Sequence, residues 1–328
     1  MRFFYGCAAE QFPADDLLRQ AVAAERAGFD GIGISDHLQP WWDGGEAAHA
    51  WVWLGAAAQA TDRVPLGTAV TPPGPRFHPL LIAQAWATLE TMYPGRPYLG
   101  FGSGESLNES PLGAQWPPVG EQIERMEEAL EMIHALFDGE RLSSEGTHFS
   151  TDGAFLHTNP GRRPPIYVSA FGPQAAAVAG RWGDGLWTLP SDETGDVIDA
   201  YRSAAEDAGR EPGEIFLQAQ FSWAASEEEA LEGARVWKGS QPDAFYTEDI
   251  HDPREMYERG ERESSDQEFA EAVIMGPDPD HHAERIGEIA GMGATTIALM
   301  NISGADPHGA IGFYADQVLP KVRDGARV

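Results

Sequence analysis

His37 stands in the stretch of this chain richest in chemistry. It follows a short apolar run at 31–34 and Asp36, and Pro40, Trp41 and Trp42 come directly after. Pro40 forbids continuation as a regular strand or helix, so a carboxylate, an imidazole and two indoles gather where a strand ends and a loop begins. An imidazole with an ordinary pKa near ~6.5 suits proton removal at neutral pH, which makes His37 the candidate base. By itself His37 reads equally as a satisfied loop histidine. Glu10 closes the first strand-like run and Glu105 follows Gly104 at the end of the fourth. Each acid alone reads as a cap or surface group. If a barrel brings the ends of strands one, two and four to one rim, Glu10, Asp36, His37, Trp41 and Glu105 converge there.

Two glycine-bearing turns add a binding element. Gly100, Gly102 and Gly104 follow a strand but enter a proline-rich loop, so they do not form the dinucleotide fingerprint, which opens a helix. Glycines that let backbone N–H groups approach an anion fit the spacing, as does a plain tight turn. Ser169, Ala170, Phe171 and Gly172 make a second such spot before Pro173 and a helix. Together they suggest a cofactor with a phosphorylated tail lying across a barrel mouth. No metal-ligand spacing emerges; His281 and His282 are adjacent on a helical stretch and point apart. Cys7 lies inside a predicted strand and reads as core.

The elements that must position these residues alternate from end to end. The pattern predicts strands at 2–8, 31–35, 65–70, 98–102, 166–170, 185–189, 215–221 and 296–301. It predicts helices at 15–27, 49–60, 78–92, 121–137, 173–181, 197–208, 227–236 and 281–292, with Leu130, Ile133 and Leu136 showing the apolar spacing. Strands alternating with helices, joined by right-handed crossovers, predict a (β/α)8 TIM barrel in one domain over 1–328. Three insertions interrupt it: a loop at 105–118 over the C-terminal face, a hairpin at 140–157, and a polar, weakly periodic stretch at 238–265.

Composition narrows the class. The 328 residues are 42% hydrophobic with no apolar run of membrane-spanning length. The chain starts in strand-like sequence, so no signal peptide is expected; with one cysteine, this suits a cytoplasmic protein. A net charge of −30 argues against nucleic acid or an anionic membrane as partner. The only lysines are Lys238 and Lys321. The run Glu227–Glu229 reads as a solvated helix start capped by Ser226.

The motifs resemble those of the luciferase-like oxidoreductases, and among them the coenzyme F420-dependent glucose 6-phosphate dehydrogenase group. The resemblance rests on Ala9–Phe12, Ser35–Trp41, Leu66–Val70, Gly102–Glu109, Gly180–Gly185 and Asp278–Asp280, in the same order over most of the chain. It implies hydride transfer between an alcohol carbon and C5 of the deazaflavin. His37 would take the hydroxyl proton, Glu105 would serve the N1 side of the cofactor, and Trp41 would hold the intermediate or wall the substrate. Glu10 would assist near the substrate or His37, and Asp36 would hydrogen-bond the deazaflavin. Ala69 and Val70 match the bulge behind the ring, built with a non-prolyl cis peptide. Gly102, Ser103, Gly104, Asn108 and the segment Ser169, Ala170, Phe171 and Gly172 would bind the tail.

The departures bear on substrate. Where the sugar-phosphate enzymes place cations and a threonine, this chain has Asp192, Thr247, Ala272 and Leu189. A phosphate dianion facing Asp192 would be repelled, so an uncharged sugar, alcohol or carbonyl is expected instead of glucose 6-phosphate. Arg254, Arg259 or Arg262 could substitute from the insertion. Phe171 stands where the family often has glycine. An FMN-dependent monooxygenase of the same superfamily is the alternative; a non-catalytic F420-binding protein would need neither His37 nor Glu105. Relatives dimerise, and the stretch at 51–53 could contribute to a homodimer.

Overall fold

The computed structural model describes residues 1–241 and 248–325. Its strands are β1 (Arg2–Cys7), β2 (Gly31–Ile34), β3 (Leu66–Thr68), β4 (Pro97–Phe101), β5 (Leu142–Glu145) and β6 (Ser150–Ala154). They continue with β7 (Ile166–Ser169), β8 (Gly185–Thr188), β9 (Glu214–Ser222), β10 (Ile274–Met275) and β11 (Thr296–Asn301). The helices begin with α1 (Ala14–Ala27), α2 (Ala50–Ala60), α3 (Pro79–Met92), α4 (Ser106–Glu109) and α5 (Val119–Phe137). Next come α6 (Pro173–Trp182), α7 (Thr194–Asp207), α8 (Glu227–Ala234) and α9 (Pro253–Glu263). The last are α10 (Asp266–Ala272), α11 (Pro279–Gly291), α12 (Pro307–Phe313) and α13 (Leu319–Gly325).

Strands β1, β2, β3, β4, β7, β8, β9 and β11 pair in parallel in that order, and β11 pairs back to β1, closing the predicted TIM barrel. Strands buried on both faces are largely apolar, as in β11, where all of Thr296–Asn301 is buried and Ile297–Met300 are apolar. Phe4, Tyr98, Tyr167, Trp187 and Phe216 fill the interior. Trp187 stacks on Phe216 with ring centroids 4.6 Å apart, and Gly31 leaves room for the Phe4 ring where a Cβ would collide with it. Most of these rings come from the first half of their strands, so the barrel is plugged at its N-terminal side. Of the two ends of the barrel, this leaves the C-terminal rim for a ligand.

Several elements differ from the sequence expectation. The third strand ends at Thr68, because the chain passes through a cis peptide at Ala69–Val70 before Thr71 bridges to Phe101. The insertion at 105–118 is not all loop: it contains α4 and a 3-10 turn at Ser110–Leu112. The insertion at 140–157 holds the expected antiparallel hairpin, β5 with β6. Within 238–265 lies α9, capped by the Asp252 side chain, which accepts from the Arg254 N–H. It buries only Met256 and Gly260, which explains the weak periodicity. Residues 242–247 of that insertion, Thr247 among them, lie outside the described residues. The pair α12 and α13, joined by a π turn at Tyr314–Val318, went unread because Gly309, Gly312 and Pro320 interrupt a helical pattern. No helix among the described residues is long and apolar enough to cross a membrane.

Candidate active site

The site starts where β2 stops. Ile34 is the last buried strand residue, and the chain then turns outward with His37, Leu38 and Gln39 along the rim. Asn108 fixes that turn: its Oδ1 accepts from the Leu38 N–H at 2.7 Å and from the Gln39 N–H at 3.4 Å. The Gln39 side chain donates to the carbonyls of Leu107 at 3.0 Å and His251 at 2.9 Å. The imidazole is thereby held on a braced loop, with the Trp41 ring 5.2 Å from it.

His37 Nδ1 lies 3.2 Å from the Gln39 carbonyl, an acceptor, and 3.4 Å from Asn108 Nδ2, a donor. Nε2 is the nitrogen that faces the carboxylates. It lies 3.4 Å from Glu10 Oε1 and 3.5 Å from Glu105 Oε2. A proton taken up at Nε2 therefore arrives between two carboxylates, which stabilise the imidazolium. Glu10 is almost fully buried, and Ser35 Oγ donates to its Oε2 at 2.6 Å. Glu105 sits nearer the mouth, and Asn108 Nδ2 donates to its Oε2 at 3.2 Å. Removal from water raises the pKa of Glu105; the His37 imidazole opposes this and Glu10 adds to it.

Beneath this pair lies a buried knot that sequence reasoning missed. Arg76 donates from Nη1 to Asp36 Oδ1 at 3.1 Å, from Nη2 to the Asp36 carbonyl at 3.0 Å, and from Nε to Glu109 Oε1 at 3.0 Å. Thr71 and Trp51 donate to Asp36 Oδ2 at 2.5 and 3.2 Å. Asp36 was expected against the deazaflavin; in this structure both its carboxylate oxygens are engaged by the protein. The one signal for Arg76 is a lone cation between Pro75 and α3 in an otherwise uncharged loop.

A cradle lies beside the carboxylates at the ends of β3, β4 and β7. Val70 enters it after the cis peptide, and a Cβ on Gly102 would come within 2.6 Å of Val70 Cγ2. Gly104 adopts φ +94°, a left-handed conformation that favours glycine. Ser169, Ala170, Phe171 and Gly172 lead into α6, whose Gly172 cap offers no side-chain acceptor. Its first-turn N–H groups can therefore serve an anion. A flat ring against Val70 and Gly102, with a phosphorylated tail at the α6 N-terminus, fits these residues. Asn108, expected at the tail, has its amide shared between the 37–39 turn and Glu105. Trp41 is 4% exposed, with its ring against His37. Phe171 is exposed. Cys7 is buried, and burial pushes its thiol pKa up. His282 is buried between the Tyr314 hydroxyl and the Gly276 carbonyl, and burial lowers its pKa to about 4.

The remaining cations named from the sequence are committed elsewhere. Arg254 pairs with Asp252 at 2.7 Å, Arg259 with Glu263 at 2.8 Å, and Arg262 lies 3.8 Å from Glu263. Lys238 is buried and donates to Asp266 at 3.0 Å. Asp192 is exposed on the loop after β8, and Ala272 is exposed at the end of α10.

Known proteins share this architecture. The luciferase-like monooxygenase family matches residues 1–296. An F420-dependent glucose-6-phosphate dehydrogenase of Nakamurella multipartita is 41% identical over 330 residues, covering 98% of this chain and 97% of its own. An F420-dependent hydroxymycolic acid dehydrogenase of Mycobacterium tuberculosis is 36% identical, covering 96% of this chain and 86% of its own. An F420-dependent secondary alcohol dehydrogenase, solved in complex with an F420-acetone adduct, superposes with a TM-score of 0.93 at 31% identity. That likeness covers 98% of this chain and 99% of the other.

Proposed function

The chain belongs to the luciferase-like monooxygenase family, and within it we infer an F420-dependent dehydrogenase or reductase acting on CH–OH groups. The observation that carries this is His37 Nε2, held between Glu10 and Glu105 at the open rim of the barrel. When bound, the deazaflavin supplies C5 as the hydride acceptor. His37 takes the proton of the substrate hydroxyl at Nε2, and Glu10 stabilises the imidazolium that results. Glu105, whose pKa burial raises, serves the cofactor's ring edge and can hold or release a proton there. Trp41 walls the substrate. Val70, Gly102, Ser103 and Gly104 seat the ring and the start of the tail, and Ser169–Gly172 with the α6 N-terminus take its phosphate.

The substrate is read as an uncharged sugar, alcohol or carbonyl. Supporting this, the described arginines of the insertion are paired with carboxylates, and Asp192 stands on the loop after β8. A phosphate dianion brought there would meet negative charge without a free cation. The whole chain is taken as one cytoplasmic domain that works as a homodimer. The outward faces of α2 and α3 favour the dimer: α2 carries no charge, and the one charge in α3, Glu90, is buried.

Fluorescence titration with F420 and with FMN, followed by turnover of sugars and secondary alcohols, tests the reading. Tight F420 binding with reduction of the cofactor by an uncharged alcohol is expected. Binding of FMN alone would overturn the cofactor assignment, and efficient turnover of glucose 6-phosphate at low concentration would overturn the substrate class.

A further inference from the structure

Ser35 ends the segment that leads into His37, yet its hydroxyl reaches across to the neighbouring strand end. Its Oγ accepts from the Ala9 N–H at 3.0 Å and donates to Glu10 Oε2 at 2.6 Å. The Cys7 carbonyl, at 3.4 Å, is a weaker competitor for that proton. Ser35 is 4% exposed and Glu10 1%, so both groups are shielded from bulk water. The other oxygen of Glu10, Oε1, faces His37 Nε2 at 3.4 Å. Among the described residues, Ser35 and His37 are the side chains within bonding reach of that carboxylate.

The direction of the chain matters. Because the Ala9 N–H occupies a lone pair of Ser35 Oγ, the hydroxyl proton is aimed at Glu10. A terminal carboxylate torsion is broad and has no strongly preferred well, so an external bond must fix which oxygen faces the imidazole. Ser35 supplies that bond. We propose that Ser35 is a positioning residue for the proton transfer: by anchoring Oε2 it holds Oε1 against Nε2 and so sets the proton affinity of His37. The proposal rests on the reading of His37 as the base. Without the hydroxyl, the buried carboxylate rotates away or takes up a proton itself, and either response removes negative charge from Nε2. The other charged group facing His37 is Glu105 Oε2, with Arg76, Asp36 and Glu109 behind it; the Trp41 ring on the remaining side is uncharged. None of these contacts runs through Ser35.

The test is an NMR titration of the apoprotein labelled with 13C-histidine, the His37 resonance being assigned through H37N. In S35A the His37 midpoint is expected to fall by about half a unit or more, as it does in E10Q. S35A added to E10Q shifts it no further, and S35T restores the wild-type midpoint. In the F420-loaded enzyme, S35A lowers kcat with its acid limb displaced to lower pH and KM unchanged. A His37 midpoint in S35A equal to that of the wild type, or shifts of S35A and E10Q that simply add, overturns the proposal. If S35A does not fold, S35C keeps the size and weakens the donor, and the same midpoints decide. The titration needs no cofactor, so a wild-type enzyme inert towards F420 would refute the proposed reaction, while the midpoints would still decide the role of Ser35.

Discussion

Glu105 Oε2 stands 3.5 Å from His37 Nε2, although the two residues follow β4 and β2, which are separated in the barrel by β3. Between them β3 ends at Thr68, level with Ile34 at the end of β2, and the chain continues to Thr71, which bridges to Phe101 at the end of β4. The pair joins an imidazole that can accept a proton to a carboxyl whose pKa is raised by burial. Two titratable groups are thus close enough to feel each other's charge, the kind of pair by which one site can separate acid and base roles.

Replacing His37 with alanine removes the base while leaving the cradle at Val70, Gly102 and Ser169–Gly172 intact. kcat is expected to fall by about 10²–10⁴-fold, the usual contribution of a positioned general base. F420 affinity should stay as in the wild type. Steady-state kinetics beside a fluorescence titration checks both, and an unchanged rate would take His37 out of the base role.

Glu105→Gln separates stability from catalysis. A carboxyl whose folded pKa is raised holds its proton more tightly in the folded state, so wild-type stability declines as pH rises from the unfolded value, about 4.3, through the folded one. The glutamine variant has no such loss. It should melt above the wild type at mildly alkaline pH, with the difference closing as pH falls towards about 4. Thermal melts across that range give the answer. A difference that grows towards acid would mean that the charged form of Glu105 is favoured in the folded protein.

Arg76 is expected to carry more of the fold than its loop position suggests. Its guanidinium bridges Asp36 and Glu109, two buried carboxylates, and Arg76→Met removes that cation from both, leaving Glu109 the attraction of Arg125. Removing one partner from such a buried network costs about 3–5 kcal/mol. Lysine cannot reproduce three directed bonds, so Arg76→Lys should recover only part of the loss. Urea denaturation of the apoprotein measures both variants; wild-type stability in Arg76→Met would show the knot to be dispensable.

The barrel was legible because its strands are short apolar runs and its helices repeat at three-to-four spacing. The residues facing His37 were legible for a related reason: Glu10, His37 and Glu105 each follow a strand directly, and barrel topology places strand ends together. What could not be read depends on contacts between segments distant in sequence. Arg76 meets Asp36 and Glu109 only once three loops are packed, and no local pattern announces it. Asn108 could be placed at the rim, but its sharing between the 37–39 turn and Glu105 follows from the position of α4. α12 and α13 were hidden by Gly309, Gly312 and Pro320, which the π turn accommodates in the folded chain.

A chain with a net charge of −30 repels its own copies over most of its surface, so a self-contact must form where charge is missing. The outer faces of α2 and α3 meet that condition, with Val52, Leu81 and Met92 exposed. Trp51, near the start of α2, packs edge-on against Trp86 of α3 and donates to Asp36, which ties this face to the site from behind. In a two-fold contact each substitution appears twice across the interface, so Val52→Glu with Leu81→Glu places four new carboxylates in one apolar patch. The double variant is expected to sediment as a monomer at concentrations where the wild type is a dimer, with its circular dichroism spectrum retained. Sedimentation velocity at moderate salt checks this. A wild type that is monomeric, or a double variant that remains dimeric, would move the interface away from α2 and α3.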